Sequence, residues 1–119
     1  MKLKLSLVVT ILLAGQFLGL NTPASGADCG MASWYGPHGG KTASGERFNR
    51  WGYTAASPWR RLGSRIRVIN PLNKRRVVVR INDRLPHGHA DLDLSYAAFR
   101  QIASPRKGLV KVCVIRLRR

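Results

Sequence analysis

Two cysteines bracket most of this chain and constrain its fold more than any other feature. Cys29 and Cys113 are the only cysteines among its 119 residues. If they form a disulfide, the first and last segments of the domain must lie side by side. Two free thiols are the alternative. The cellular compartment decides between the two states, because disulfides persist outside the cytoplasm. A crosslink that closes so long a loop would stabilise the fold by roughly 4 kcal/mol.

The N-terminus has the pattern of an export signal. Two lysines precede an almost wholly apolar run from Leu5 to Leu20, and small residues follow. This order is typical of a cleaved signal peptide, and the run is short for a membrane span, which is the alternative. We therefore predict a signal peptide over residues 1–27, a secreted or periplasmic protein, and one domain over residues 28–119 with a Cys29–Cys113 disulfide.

The charge of the remaining 92 residues favours anionic partners. Nineteen basic residues face five acids, a net charge of +14, which exceeds what solubility requires. Outside the cytoplasm, such a charge concentrates the protein on peptidoglycan carboxylates and on anionic wall or membrane surfaces. Charge alone also permits nucleic-acid binding, but the export signal argues against that function. We expect a monomer with no nucleic-acid partner.

Short strand patterns and one helix predict a mainly β domain. The predicted strands are Met31–Tyr35, Tyr53–Ala56, Arg65–Ile69, Val77–Ile81 and Leu109–Leu117. The third and fourth of these are expected to form a hairpin across a turn. Ser95 is a good N-cap for a helix over Tyr96–Ala103, and Pro105 prevents its continuation. Since closure removes sheet edges and the two ends are tied together, the pattern indicates a closed β-barrel.

Five short motifs occur in order along nearly the whole domain. They are Ala32-Ser33-Trp34-Tyr35-Gly36, Thr42-Ala43-Ser44-Gly45-Glu46, Thr54-Ala55-Ala56, Asn82-Asp83-Arg84 and Asp93-Leu94-Ser95. Together they resemble the rare lipoprotein A family, which is grouped with the expansin-like double-psi β-barrels. The resemblance implies a small six-stranded double-psi β-barrel that acts on peptidoglycan glycan strands. It implies a lytic transglycosylase, which cuts those strands without water to leave 1,6-anhydro ends and uses no cofactor.

The resemblance also implies three catalytic positions, which fall on Glu46, Ser57 and Asp83. Glu46 is predicted to be the general acid and then the general base, with a pKa raised by burial or by Asp83. Ser57 stands where the family usually has histidine, and serine alone is a poor base near neutral pH. Leu85 stands where the family usually has glycine. The alternative for Glu46 is a surface ion pair, and a nearby arginine would lower its pKa.

Substrate contacts are predicted for residues around these positions, namely Trp34, Tyr35, Thr42, Ser57 and Asp93. Flat aromatic faces can stack on sugar rings, although core packing is the alternative for each of them. Because Trp34 and Tyr35 are consecutive, one is expected to lie in the core and the other at the surface. Asp93 has two interpretations of equal weight, a polysaccharide contact or a carboxylate that binds backbone donors near the helix start.

A metal site is the less favoured interpretation of a histidine-rich stretch. The candidate ligands are His38, His87, His89, Asp91 and Asp93. Pro86 and Gly88 interrupt the regular strand that would align them, so no metal is predicted.

The main alternative function is a non-catalytic, expansin-like module that binds or loosens wall polysaccharide. An imidazole near Glu46 would favour the enzyme, and arginine side chains around Glu46 would favour the binding module.

Overall fold

The computed structural model describes residues 27–36, 39–86, 88 and 90–118. The predicted signal peptide over residues 1–27 lies outside these ranges, apart from residue 27, and so do His38, His87 and His89. No helix within the described ranges combines the length and the apolar character that crossing a membrane requires.

Six strands close into a barrel, as predicted. They are β1 (Ala27–Trp34), β2 (Thr54–Ser57), β3 (Arg65–Ile69), β4 (Arg76–Arg84), β5 (Leu92–Leu94) and β6 (Leu109–Arg116). Their order around the barrel is β1-β5-β2-β4-β3-β6, with β6 paired to β1. The β1–β5 and β2–β4 pairs are parallel, and the other four are antiparallel. Closure leaves no free sheet edge in a domain too small to cover one.

The barrel interior follows from alternating apolar residues. In the β3–β4 hairpin, which confirms the prediction, Val68 lies opposite Val77 and both are buried. Val112 and Val114 of β6 point into the same core, where they alternate with Cys113. The core is completed by small and branched side chains from the other strands and by the helix, including Ala32, Ala55, Ile66, Val79, Ile81, Leu92, Leu94, Phe99 and Ile102.

The disulfide joins the first and last strands. Cys29 of β1 lies directly opposite Cys113 of β6 in the antiparallel register, and the two sulfurs are bonded. This confirms the predicted pairing and its consequence for topology.

The helix α1 spans Tyr96–Ile102 and packs into the hydrophobic core, with Phe99 fully buried. The Ser95 hydroxyl accepts a hydrogen bond from the backbone N–H of Ala98 at 3.2 Å and donates one to the carbonyl oxygen of Gly52 at 2.6 Å. Ser95 therefore caps the helix and ties it to the loop before β2, as its N-cap chemistry predicts.

Replacing Ser95 with alanine is expected to lower the free energy of unfolding by about 2 kcal/mol, because it removes the cap and leaves a carbonyl unpaired. Urea denaturation followed by circular dichroism measures the change. Ser104 is a matched control, since its exposed hydroxyl only caps a three-residue 3-10 helix. Ser104→Ala should cost no more than about 0.5 kcal/mol, and an equal loss in both variants would contradict the special role of Ser95.

Strand β5 is absent from the sequence-based prediction. It has only three residues, which are too few for a period-2 pattern to identify. Its existence depends on two partners, β1 on one side and β2 on the other. This strand carries Asp93, one of the predicted substrate contacts.

Candidate functional site

Two aspartates flank one alanine across three neighbouring strands. Ala56 of β2 lies opposite Asp83 of β4 and, on its other side, opposite Asp93 of β5. Directly opposed residues in a sheet point to the same face, and at a strand spacing of about 4.8 Å the two aspartates are two strands apart. A β-bulge changes the register at Ala55/Ala56, so that Ile81 opposes Ala55 and Asp83, not Asn82, opposes Ala56. Bulges commonly re-aim a side chain beside a functional site.

Asp83 is held in place by backbone donors. Its Oδ1 atom accepts hydrogen bonds from the backbone N–H of Ala43 at 2.9 Å and from that of Arg84 at 2.8 Å. The carboxylate is half-buried, and its second oxygen takes part in none of the hydrogen bonds described for this part of the chain. Asp83 therefore has a fixed orientation and one oxygen left for a ligand.

A tight turn places Glu46 beside β4. The Thr42 N–H and hydroxyl both donate to the carbonyl oxygen of Glu46, at 2.9 and 2.7 Å. Gly45 occupies the turn with φ of +97°, a conformation that costs other residues energy. The Ser44 N–H donates to the carbonyl of Asn82 and docks the turn on the strand. Thr42 is buried and closes this turn with its hydroxyl, so its predicted substrate contact stays a prediction.

Glu46 forms a bidentate ion pair with Arg80 of β4. The Arg80 Nη1 and Nη2 atoms donate to Oε1 and Oε2 of Glu46 at 2.6 and 3.1 Å. These hydrogen bonds, with smaller contributions from Asn82 and Ser44, lower the pKa of Glu46 to about 2. The expected rise in this pKa is therefore wrong for this state, because a guanidinium, not a carboxylate or an apolar wall, is the dominant neighbour.

Arg80→Gln is expected to return the pKa of Glu46 toward its ordinary value near 4.5. Glu46 is the only glutamate in the chain, so ¹³C-glutamate labelling gives one side-chain carboxyl signal whose chemical shift reports the titration.

The wild-type ion pair is partly exposed and should contribute about 0.5 kcal/mol of stability. That contribution is present above about pH 4.5 and is lost as the pH falls toward 2.

Arg76→Gln on the same strand is the matched control, since Arg76 is exposed and belongs to neither of the ion pairs found in the described ranges. An unchanged Glu46 titration in Arg80→Gln would contradict the ion pair.

The Tyr35 phenol lies among the three carboxylates. Its ring stacks on Phe48, with centroids 4.5 Å apart. Burial raises the pKa of Tyr35 above its ordinary range, and negative charges raise it further, namely those of Asp83, Asp93 and Glu46. The phenol therefore stays protonated, and its buried oxygen has no hydrogen-bond partner among the described atoms. We call Tyr35, Glu46, Asp83 and Asp93 the acidic site.

Asp93 and Asp91 have different environments. Asp93 accepts a hydrogen bond from the Ser33 hydroxyl at 2.8 Å and belongs to the acidic site. Asp91 instead accepts from the backbone N–H of Met31 at 2.8 Å and fastens the start of β5 to β1. Its carboxylate lies so close to Gly30 that a Cβ there would overlap it, which explains the glycine. Of the three aspartates between positions 83 and 93, Asp91 is therefore structural, and the other two belong to the acidic site.

Ser57 lies fully buried at the end of β2. Its hydroxyl accepts from the backbone N–H groups of Trp59 and Arg60, at 3.3 and 3.0 Å, and its carbonyl accepts from the Arg84 side chain. In this conformation Ser57 shapes the following loop, and its predicted substrate contact stays a prediction.

Trp34 packs against the first residue of α1 and against the hydrophobic core. Its indole N–H donates to the carbonyl of Pro105 at 3.0 Å, and its ring meets Tyr96 edge-on at 5.1 Å. Trp34 and Tyr35 are both half-buried, so the expectation of one core and one exposed residue is wrong. The reason is that the Trp34 ring packs against the margin of the hydrophobic core, while the Tyr35 ring is covered by Phe48. A substrate contact for either ring stays a prediction.

No group of three metal-ligating side chains converges within the described ranges, which do not include the three histidines.

Arg80 is the main site residue that sequence reasoning did not identify. The possibility of an arginine beside Glu46 was foreseen, but its position was not, because 34 residues separate the partners. The only sequence signal is that Arg80 interrupts the apolar run of β4 between Val79 and Ile81. Phe48, which supports Tyr35, gives no signal beyond its hydrophobicity.

Comparisons with known proteins agree with this architecture. A family model described as "Lytic transglycolase" matches residues 27–114. The probable endolytic peptidoglycan transglycosylase RlpA of Synechocystis is 48% identical over 88 residues, which cover 71% of this chain and 27% of that protein. The endolytic peptidoglycan transglycosylase RlpA of Neisseria meningitidis serogroup A is 40% identical over 95 residues, which cover 77% of this chain and 40% of that protein. The chain thus spans well under half the length of these curated relatives.

Solved structures share the fold at low sequence identity. A Streptomyces papain inhibitor matches with a TM-score of 0.67 and 23% identity, covering 82% of this chain and 100% of that one. A mutant Clavibacter michiganensis expansin in complex with cellohexaose matches with a TM-score of 0.60 and 20% identity, covering 77% of this chain and 50% of that one. The closed six-stranded barrel with one helix and a disulfide between its first and last strands is a double-psi β-barrel. The chain belongs to the rare lipoprotein A (RlpA-like) family.

Proposed function

We propose that this chain is an extracytoplasmic lytic transglycosylase that cleaves peptidoglycan glycan strands without water and leaves 1,6-anhydro ends. The family match and the names of its relatives support this proposal. The observation that carries it is that the turn bearing Glu46 lies against Asp83, since the Ala43 N–H donates to the Asp83 carboxylate at 2.9 Å and the Ser44 N–H donates to the Asn82 carbonyl at 3.1 Å. No cofactor is needed, because the reaction requires only proton transfer and charge stabilisation.

Glu46 supplies the proton transfer in this proposal. Its protonated carboxyl donates to the glycosidic oxygen as the bond from that oxygen to the anomeric carbon breaks. The resulting carboxylate then takes the proton of the sugar's own 6-hydroxyl, whose oxygen forms the new bond to the anomeric carbon. The acid is regenerated, as in the acid-then-base cycle of retaining glycosidases.

The ion pair with Arg80 makes the described conformation a resting state for this reaction. With a pKa of about 2, Glu46 is ionised near neutral pH and holds no proton to donate. A carboxylate of the bound glycan that drew Arg80 away would remove the dominant cause of the low pKa. Both side chains are about 40% exposed, which leaves Arg80 accessible to such a competitor.

Asp83 stabilises charge at the reacting carbon. Two backbone N–H groups fix its orientation, and a preoriented carboxylate stabilises the positive charge that develops during glycosidic cleavage. The Tyr35 hydroxyl, which is a permanent donor, and Asp93 on the other side of Ala56 are proposed to contact the sugar. Trp34, Thr42 and Ser57 keep the lesser role of proposed substrate contacts at the edges of the site.

The location follows from the export pattern and the crosslink. We propose that residues 1–27 are removed as a signal peptide and that residues 28–119 act in the periplasm or outside the cell. The Cys29–Cys113 disulfide supports this, since such bonds persist in oxidising compartments. The proposed partners are glycan strands and anionic wall or membrane surfaces, and we propose a monomer that binds no nucleic acid.

A non-catalytic wall-binding module is the second candidate function. Two observations favour it: Arg80 neutralises Glu46, and a buried serine occupies position 57, where the family usually has histidine. In this case Asp83, Asp93 and exposed aromatic rings would bind polysaccharide without cleaving it.

Incubation of the protein with purified peptidoglycan separates the two candidates. Mass spectrometry of the soluble products detects 1,6-anhydro-muropeptides, and co-sedimentation measures binding. Anhydro products identify a transglycosylase. Binding without them identifies the module, and the absence of both would contradict the two proposals together.

A further inference from the structure

A second surface feature is a cleft of about 1170 Å³ that shares no residue with the acidic site. The loop after β2, the start of β3 and the end of β6 form its walls. Five arginines and one tryptophan line most of it: Trp59, Arg60, Arg61, Arg65, Arg116 and Arg118. We call it the arginine cleft.

Strand pairing brings these arginines together from distant parts of the sequence. Arg116 of β6 lies opposite Ile66 of β3, next to Arg65. The N–H of Leu117 donates to the carbonyl of Arg65 at 3.0 Å and fixes the chain end against β3. Gly63, with φ of +90°, turns the loop that carries Arg61 over the same cleft.

The cleft has a large uncompensated positive charge. Arg60 pairs with Asp28 at 3.1 Å. Among the described residues, none of the other four guanidinium groups forms an ion pair. Gathering like charges around one concavity is unfavourable, and a bound anion removes that repulsion. Guanidinium groups bind carboxylates and phosphates through two parallel hydrogen bonds, which makes arginine well suited to such ligands.

The tryptophan adds a second kind of contact. Trp59 is 64% exposed, and the Arg60 guanidinium lies 4.3 Å above its ring. The remaining exposed surface of the indole is a flat apolar platform next to the arginines, and a sugar ring can stack on such a platform. We propose that the arginine cleft binds an acidic saccharide chain, with its anionic groups on the guanidinium groups and a sugar ring on Trp59. The site is independent of bond cleavage at the acidic site.

Isothermal titration calorimetry with four probes tests this proposal. Polygalacturonate supplies carboxylated sugars and phosphomannan supplies phosphorylated sugars, while polyphosphate is an anion without sugar and dextran is a sugar without charge. The wild-type protein should bind at least one of the two acidic saccharides, whose relative affinities identify the preferred anion, and it should not bind dextran. If the protein binds neither polygalacturonate nor phosphomannan, the proposal is overturned.

Two triple variants with the same loss of charge distinguish specific binding at the arginine cleft from nonspecific electrostatic attraction to the protein. Arg61→Gln/Arg116→Gln/Arg118→Gln removes three cleft cations, and it should weaken binding by roughly tenfold or more because three charge-assisted contacts are lost. Lys74→Gln/Arg75→Gln/Arg76→Gln removes three exposed cations at the β3–β4 hairpin and should change it by less than about threefold. Equal losses would show that net charge alone binds the probe and would overturn the proposal.

Trp59→Ala tests the sugar contact. It should weaken binding of the acidic saccharide and leave polyphosphate binding unchanged, whereas equal effects on both probes would overturn the sugar platform. Because anhydro products and cleft binding are measured separately, failure of either proposal leaves the other testable.

Discussion

Glu46→Gln is expected to reduce the formation of 1,6-anhydro ends by about 10²–10⁴-fold, the usual contribution of a general acid–base group. Glutamine keeps the shape of the side chain but can neither donate the proton to the leaving oxygen nor accept one from the 6-hydroxyl. The rate is measured by mass spectrometry of muropeptides released from purified peptidoglycan. Binding to peptidoglycan should persist, because the rest of the acidic site is retained.

Asp28→Asn is a matched control for this variant. Asp28 is also an exposed carboxylate paired to an arginine, Arg60, so its replacement removes one negative charge and one ion pair. Cleavage should continue within about twofold of the wild-type rate, since surface pairs contribute little. If both variants lose activity equally, or if Glu46→Gln stays active, Glu46 is not the acid–base group.

Removal of the disulfide is expected to have the largest effect on stability. The Cys29–Cys113 bond links residues 84 positions apart, and a loop of that length predicts a loss of about 4.5 kcal/mol in the chain-entropy treatment. For a domain of this size, that loss lowers the melting temperature by about 20 °C. Cys29→Ala/Cys113→Ala, compared with the wild type by thermal denaturation, measures it.

A reductant provides the internal control for this prediction. Dithiothreitol should bring the wild type down to the stability of the double variant and leave the double variant unchanged. Cys29 is exposed and Cys113 half-buried, so little packing is lost with the side chains. A change of less than about 5 °C would mean that the folded barrel, and not the crosslink, supplies the stability.

Local patterns identified most of the fold. The alternation in β3 and β6, the Ser95 cap and the proline after α1 act within a few residues, and the structure has these elements at nearly the predicted bounds. Strand β5 was missed because its three residues become a strand only by pairing with β1 and β2 at once.

The candidate site was less predictable. The resemblance named Glu46 and Asp83, but the raised pKa expected for Glu46 is wrong, because Arg80 lowers it. The pKa of Glu46 depends on Arg80, which reaches it across the surface of β4, and the Tyr35 phenol is perturbed by charges from three separate segments. Such effects follow from distances between side chains far apart in sequence.

By itself, the sequence determined the alternation that builds a barrel, the crosslinked ends and the family. These features depend on short segments of sequence or on the chemical type of a side chain, and not on its tertiary contacts. Only the tertiary structure decided that Arg80 holds Glu46 ionised, that Asp83 and Asp93 flank Ala56, and that the arginines of β3, β6 and the loop before β3 line one cleft. Electrostatic interactions fall off with distance, so which charges interact is decided when closure of the barrel sets their separations.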